Sequence, residues 1–291
     1  MNATSRVTLI HPASELDQPI RLFRGAAVSR DDWHALDRLE RRRLLVHARH
    51  ATLHVAAIVS HGSAAALWGL PDLDTDDGRL HVVDLRATKT HSGPGVVRHR
   101  AVLRADEVTS LDGIPVTSLV RTVVDVIRTV SFAHAVVVLD HVLHHRRCGR
   151  NELLGVLEQH AGQRGTTTAE RALRFADAGA ESPGESLSRV TAAQLGVPVP
   201  VLQQPFDTDA GRFRVDFWWP AHGVVGEFDG RVKYDDPRDL WREKLREDAI
   251  RRLPEVTGVA RWTMRHACEP ALLAPVLLAA GLPVTRAVRR R

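Results

Sequence analysis

A chain of 291 residues, 44% of them hydrophobic, is long enough to build two packed domains and too apolar to stay disordered. Its 40 Lys and Arg against 35 Asp and Glu leave a net charge of +5, which favours acidic partners, nucleic acid first among them, only where the basic groups cluster. Cys148 and Cys268 alone give neither a disulfide framework nor a zinc site, and no run approaches the roughly eighteen apolar residues of a membrane span, so the sequence predicts a soluble protein of the reducing cytoplasm.

Residues 1–20 read as a polar, partly disordered lead-in with room for a short strand at Arg6–Ile10. Arg21–Ser29 reads as a strand or wing-like element. Asp31 and Asp32 then cap one helix that starts near Trp33 and places Leu36, Leu39, Leu44 and Leu45 at helical spacing. Its Arg41, Arg42 and Arg43 suit a solvated face better than a phosphate contact. Ser60–Pro71 (SHGSAAALWGLP) has a cap, an Ala-rich helical body and a Gly-Leu-Pro stop. Arg79–Leu85 alternates as a strand, HSGPG reads as a turn, and Val96–Leu103 as a further strand. Ile114–Arg128 gives a short strand and a helix started at Thr117 or Ser118, in which Arg121 and Asp125, one turn apart, pair with each other. The apolar helix AHAVVVLDHVLHHRR carries Asp140, His141, His144 and His145; their spacing could bind a metal, but a helix surface running into a basic end accounts for them more simply. Helices at Asn151–His160 and Thr168–Ala178 close the first domain, with the boundary between about 161 and 182.

Ser182-Pro183-Gly184-Glu185 is a capping-box start for an amphipathic helix with Leu187, Val190 and Leu195 on its apolar side. Beyond it, Phe213–Trp218 and Val224–Asp229 both alternate at period two around the turn Pro220–Gly223. An antiparallel hairpin symmetric about Ala221 and His222 sets Asp216 opposite Glu227, with Asp229 on the same face. Like charges so placed repel. A hard divalent cation, Mg²⁺ or Mn²⁺, offsets that repulsion; the alternative is neutralisation by Arg214, opposite Asp229 in this register, together with Lys233. The helix Asp239–Leu253 should pack Leu240, Trp241, Leu245, Ala249 and Ile250 on the sheet, with Lys244 and Asp248 beside them. Val259–Met264 is a strand, Pro270–Gly281 a helix bent or split at Pro275, and Arg286–Arg291 a basic tail.

Two stretches carry family resemblances. SHGSAAALWGLP with PVTSLVRTVVDV resembles the AbiEi antitoxins of type IV toxin–antitoxin systems over about residues 20–160, which implies DNA and a cognate toxin as partners. Such proteins begin with a winged helix, and the few residues before LFRGAAVS leave room for at most the wing. VDFWWP, VVGEFDGRVKY, WREKLREDAIRR and VARWT resemble the PD-(D/E)XK nucleases, and more closely the domains related to very-short-patch repair endonucleases, over about 180–266.

Together these imply an α/β (α+β) chain: a lead-in at 1–20, a mixed AbiEi-like domain lacking a complete winged helix at 21–165, an endonuclease-like domain with a central mixed sheet flanked by helices at 180–284, and a tail at 285–291. The nuclease resemblance implies metal-dependent hydrolysis of DNA, with Asp216, Glu227 and Asp229 on Mg²⁺ or Mn²⁺ and Glu185 on the first helix as a further acid. Asp229 stands where the family usually has Lys, so Lys244 or Lys233 would supply that charge, and Arg231, Lys233 and Arg242 would contact nucleic acid. The alternative is a non-catalytic DNA-binding antitoxin or regulator on an inactive nuclease fold.

Overall fold

In the computed structural model, which describes residues 19–53, 57–71, 78–230 and 237–286 (without the side chains of 237–243), Asp37 divides what the sequence presents as one helix. Strands β1 (Ile20–Phe23) and β2 (Ala26–Val28) pair antiparallel, and Ser29 caps α1 (Arg30–Ala35) by accepting from the Asp32 amide. Leu36 is extended. Asp37 and Glu40 then form a capping box that opens α2 (Arg38–Ala51), supplying the unpaired amides of a second N-terminus. The arginines of α2 are not a solvated face: Arg42 is buried, Arg41 Nε donates to the Trp33 carbonyl and Arg43 Nε to that of Ala66. Arg6–Ile10 and the tail beyond Arg286 lie outside the described residues.

The chain divides into two units. The first comprises Met1–Val138 and Cys148–Arg174. Its elements continue with β3 (Ile58–Val59), α3 (His61–Trp68), β4 (Leu80–Val83), β5 (His91–Gly93), β6 (Val96–His99), β7 (Val108–Leu111), β8 (Ile114–Thr117), α4 (Leu119–Ile127), the first half of α5 (Phe132–His144), α6 (Arg150–Glu158) and α7 (Thr166–Phe175). The strands form one mixed sheet in the order β5-β6-β4-β3-β8-β7. Gly69, at φ 72°, ends α3 where the Gly-Leu-Pro stop predicts. HSGPG is more than a turn, since His91–Gly93 pairs with Val96–His99 around Pro94-Gly95, and β6 stops at His99. Strand β7, absent from the sequence reading, is announced by LDG: Asp112 (φ 52°) and Gly113 (φ 79°) both take the left-handed conformation that a tight hairpin to β8 needs. Val59, Leu80, Val82 and Val116 of the sheet pack against Ala64 and Ala66 of α3. Arg121 does pair with Asp125, at 3.0 Å, and also with Glu107 at 3.2 Å, all three being buried.

The second unit, Leu139–Arg147 with Phe175–Arg291, is likewise mixed α/β. It holds α8 (Pro183–Gln194), β9 (Val201–Thr208), β10 (Gly211–Trp219), β11 (Val224–Asp229), α9 (Pro237–Arg251), β12 (Gly258–Thr263), α10 (Met264–Cys268) and α11 (Pro270–Ala279), with Pro275 inside α11. The sheet order is β12-β11-β10-β9; β11 and β12 run parallel and the other pairs antiparallel. The central hairpin has the expected register, Phe217 on Gly226 and Trp219 on Val224, across Pro220–His222 and a left-handed Gly223. Helix α8 buries Leu187 and Val190 of its apolar side, as Leu195 beyond its end is buried, and its polar residues between Gly184 and Ala192 are buried as well. Trp262 Nε1 donates to Ser188 Oγ at 2.7 Å, and a methyl group at Gly184 would overlap the Phe228 ring. On α9, Ala249 and Ile250 are buried but Leu245, expected on the sheet, is 45% exposed. Edge strand β9 contains Pro205, whose carbonyl accepts from Gln204 Nε2.

Asp140 is not on a helix surface. It is fully buried, accepting from the Asp177 amide and from Arg189 Nη1, both at 2.7 Å, and burial outweighs the arginine to push its pKa up to about 6. The nearby His144 and His145 rings donate to the carbonyls of Ala178 and His141. Arg189→Met strips Asp140 of its cation and should lower the unfolding free energy by about 3 kcal/mol. Urea unfolding measures this, and an unchanged midpoint would show that the pair contributes nothing.

Candidate functional site

The acid-bearing hairpin is irregular where its carboxylates lie. Pairing of β10 with β9 runs from Gly211 to Val215, skips Asp216 and resumes at Phe217, and Gln203, facing the gap, sits at φ 55°. A left-handed non-glycine residue costs on the order of 1–3 kcal/mol and is held only by its surroundings. Here Gln203 Nε2 donates to Glu185 Oε2 at 2.8 Å. On the other side the β10–β11 pairing ends at Phe217 and Gly226, and the Phe228 amide donates to Asp216 Oδ2 at 2.8 Å in place of a backbone carbonyl. Close packing presses this corner together, since a Cβ at Gly226 would meet Trp262, Trp219 and Phe217 at 2.7–3.0 Å.

Each acid has a distinct set of partners. Glu185, buried on α8, accepts from the Glu181 amide at 3.0 Å, while its own amide donates to Ser182 Oγ at 3.2 Å. The capping box is therefore shifted, its acid reaching one residue beyond the cap. Glu227 takes Arg246 Nη2 at 3.0 Å. Asp229 is gripped at both oxygens by Arg261, whose Nη2 lies 2.6 Å from Oδ1 and whose Nη1 also reaches Glu247 at 3.0 Å. Arg214, expected opposite Asp229, instead pairs with Glu181 at 2.7 Å. Lys244 is exposed, and among the described side chains of α9 it is Arg246, two residues on, that reaches Glu227. Arg231 and Lys233 lie outside the described residues, as does the side chain of Arg242.

Burial is the main force on the two central acids. It raises the Asp216 pKa to about 6 and that of Glu227 to about 7. For Asp216 the Phe228 amide opposes the rise and Glu185 adds to it; for Glu227 Arg246 opposes and Asp216 adds. Asp216 and Glu227 are hard oxygen donors of the kind a divalent cation takes, while Asp229 is hydrogen-bonded through both oxygens to Arg261 in this arrangement. Among the described residues no group of three His, Cys, Asp or Glu side chains is placed to hold a metal ion. The donor set does not fit the three-carboxylate centre that the sequence suggests.

Residues 55–175 match the family model of the AbiEi antitoxin C-terminal domain. Two uncharacterized proteins of Mycobacterium tuberculosis, MT2308 of strain CDC 1551 / Oshkosh and Rv2248 of strain ATCC 25618 / H37Rv, are each 31% identical to the chain over 192 residues, covering 65% of it and 69% of each relative. The chain belongs to one family with these mycobacterial proteins. No solved structure matches it significantly. The AbiEi match starts at 55 and not near 20, so it takes in the six-stranded sheet and α3 to α7 and leaves out the β1–β2 ribbon, α1 and α2. It also leaves out every residue of the acid corner. No helix among the described residues is long and apolar enough to cross a membrane.

Sequence reasoning missed Arg246, Arg261 and Gln203. Arg246 stands four residues before the buried Ile250 and so shares its inward face, a spacing legible in advance. Arg261 alternates with the buried Ala260 and Trp262 and lies beside Glu227 in the parallel register, which required knowing that β12 pairs with β11.

A carboxylate whose folded pKa exceeds its unfolded value stabilises the fold fully only below the unfolded value, and that contribution is lost as pH rises through the folded one. With Asp216 going from 3.8 to about 6 and Glu227 from 4.5 to about 7, unfolding free energy should fall as pH rises from about 4 to about 7. Asp216→Asn and Glu227→Gln should flatten that slope and leave each variant about 1–2 kcal/mol more stable than wild type at pH 8. Chemical unfolding across the range tests this; a slope that persists in both variants assigns it to other groups.

Proposed function

We propose that the chain is an AbiEi-type antitoxin or regulator that binds DNA and answers to a cognate toxin without cleaving its target. Its second unit is a PD-(D/E)XK-like scaffold whose acid corner has been turned over to structural ion pairs. The observation that carries this reading is the AbiEi antitoxin domain match over 55–175. The grip of Arg261 on Asp229, at the position where the nuclease pattern has Lys, supports it from the other unit.

A second reading, Mg²⁺- or Mn²⁺-dependent hydrolysis of DNA phosphodiester bonds, is favoured by one observation. Asp216 and Glu227 are both half-buried with raised pKa values, a cost that a divalent cation would offset.

A gel-shift assay with the DNA upstream of the chain's own coding region, in metal-free buffer, separates the two. Binding without metal, no cleavage on adding Mg²⁺ or Mn²⁺, and unchanged affinity in Asp216→Asn and Glu227→Gln are the expected results. Metal-dependent cleavage by wild type that either substitution abolishes would replace the antitoxin reading with the nuclease.

A further inference from the structure

The first unit contains a cleft of about 470 Å³ that neither reading above uses. That volume falls in the ~300–1,000 Å³ range of small-ligand sites, and charged side chains are prominent among its lining residues. Five arginines reach it. Arg121 is spent on the buried carboxylates of Glu107 and Asp125, and Arg104 on the exposed Asp106, which it holds through Nε and Nη2 at 3.0 Å. Arg100, Arg128 and Arg164 remain, with no carboxylate bound to any of them among the described residues.

Arg128 is built into the wall. Its Nη2 donates to Gln163 Oε1 at 2.8 Å and to the Arg164 carbonyl at 3.4 Å, which fixes the plane of the guanidinium. Gly165, at φ 83°, closes the loop onto it so tightly that any Cβ would overlap the Arg128 carbonyl. Yet Arg128 Nε is buried and has no hydrogen-bond partner among the described residues. An orphan donor on a charged group is costly, and burial also lowers the pKa of this arginine. An anion in the cleft would offset the burial of this charge.

A second strained feature lines the same cleft. His61, the first residue of α3, is held at φ 51°, which for a non-glycine residue marks a conformation imposed by its surroundings. Its ring stacks on that of His99 with centroids 3.7 Å apart and planes at 14°. Burial keeps the His61 pKa well below the usual histidine value, so at neutral pH it contributes an aromatic ring and no charge.

We propose that this cleft binds a terminal phosphate carried by a nucleotide, with Arg128, Arg164 and Arg100 taking the phosphate oxygens and the stacked His61 and His99 flanking the nucleoside. A guanidinium fork matches a phosphate bidentately, and a terminal phosphate offers three oxygens to converging cations. A concave cleft of this volume admits one nucleotide, whereas a duplex backbone is followed along an open basic surface. The bearer is a free nucleotide or the phosphorylated end of a nucleic acid; the chemistry at the arginines is the same.

Calorimetry on the full chain in metal-free buffer tests this with AMP, adenosine, and one trinucleotide carrying either a 5′-phosphate or a 5′-hydroxyl. The phosphorylated member of at least one pair should bind and its unphosphorylated partner should not. Arg128→Gln and Arg164→Gln should each weaken binding about tenfold or more. Arg164 is exposed, so its variant reports on binding with the fold intact. AMP binding as well as the phosphorylated trinucleotide supports a free nucleotide, and binding of the trinucleotide alone supports a nucleic-acid end. No binding by either phosphorylated probe, equal affinity with and without the phosphate, or undiminished binding in both variants would overturn the site. None of these outcomes depends on the antitoxin reading, since upstream DNA is absent from the assay.

Discussion

Both units of this chain bury carboxylates, and in each an arginine makes the burial tolerable, one helical turn away for Asp125 and 49 residues away for Asp140. Arg121 lies between Asp125 and Glu107, Arg189 reaches Asp140 from α8, and Arg246 and Arg261 close on Glu227, Asp229 and Glu247. A buried carboxylate left alone would protonate or pull water inward, so these pairings fix which elements can lie next to one another. The second unit shows how far this goes. Arg261 joins β12 to the end of β11 and to α9 at once, and Arg246 ties α9 to both Glu227 and the Arg214 carbonyl. The sheet end and the helix that crosses it are held by ion pairs as much as by Val225, Ile250 and their apolar neighbours.

This bears on how the acid corner is understood. In a hydrolytic centre the acids point at a shared ion, and the surrounding cations attend to substrate. Here two of the acids are already attended to by guanidinium groups, a third is locked by Gln203 and the Glu181 amide, and Asp216 completes the backbone pairing at Phe228. Each carboxylate has structural work to do. The match to the AbiEi antitoxin domain covers a different part of the chain.

Much of the local structure was legible in the residues. The hairpin register followed from Pro220–Gly223 and two alternating strands, because a tight turn and a period of two leave little freedom. Gly69 and Ser182 marked helix ends through the backbone geometry they favour. Other features were visible but passed over: Asp37 three residues before Glu40 is a capping box inside a helical run, and LDG is a hairpin signal. What could not be read was partnership across long separations. Asp140 and Arg189 sit on different elements, as do Asp229 and Arg261, and no periodicity encodes which charge a buried acid will meet. The same limit hid the cleft of the first unit, assembled from residues of α3, β6, α4 and the loop after α6.

The edge of the four-stranded sheet has a consequence for how the protein behaves in a crowded solution. An open strand edge is a template for another strand, because its outward amides and carbonyls wait for partners. In β9 Pro205 has no amide to offer, its carbonyl is already taken by the Gln204 side chain, and the left-handed Gln203 breaks the line of the strand just before them. A second chain laid along this edge would find its ladder interrupted at Gln203 and Pro205. The distortion that shapes the acid corner thereby also guards the sheet against edge-to-edge aggregation.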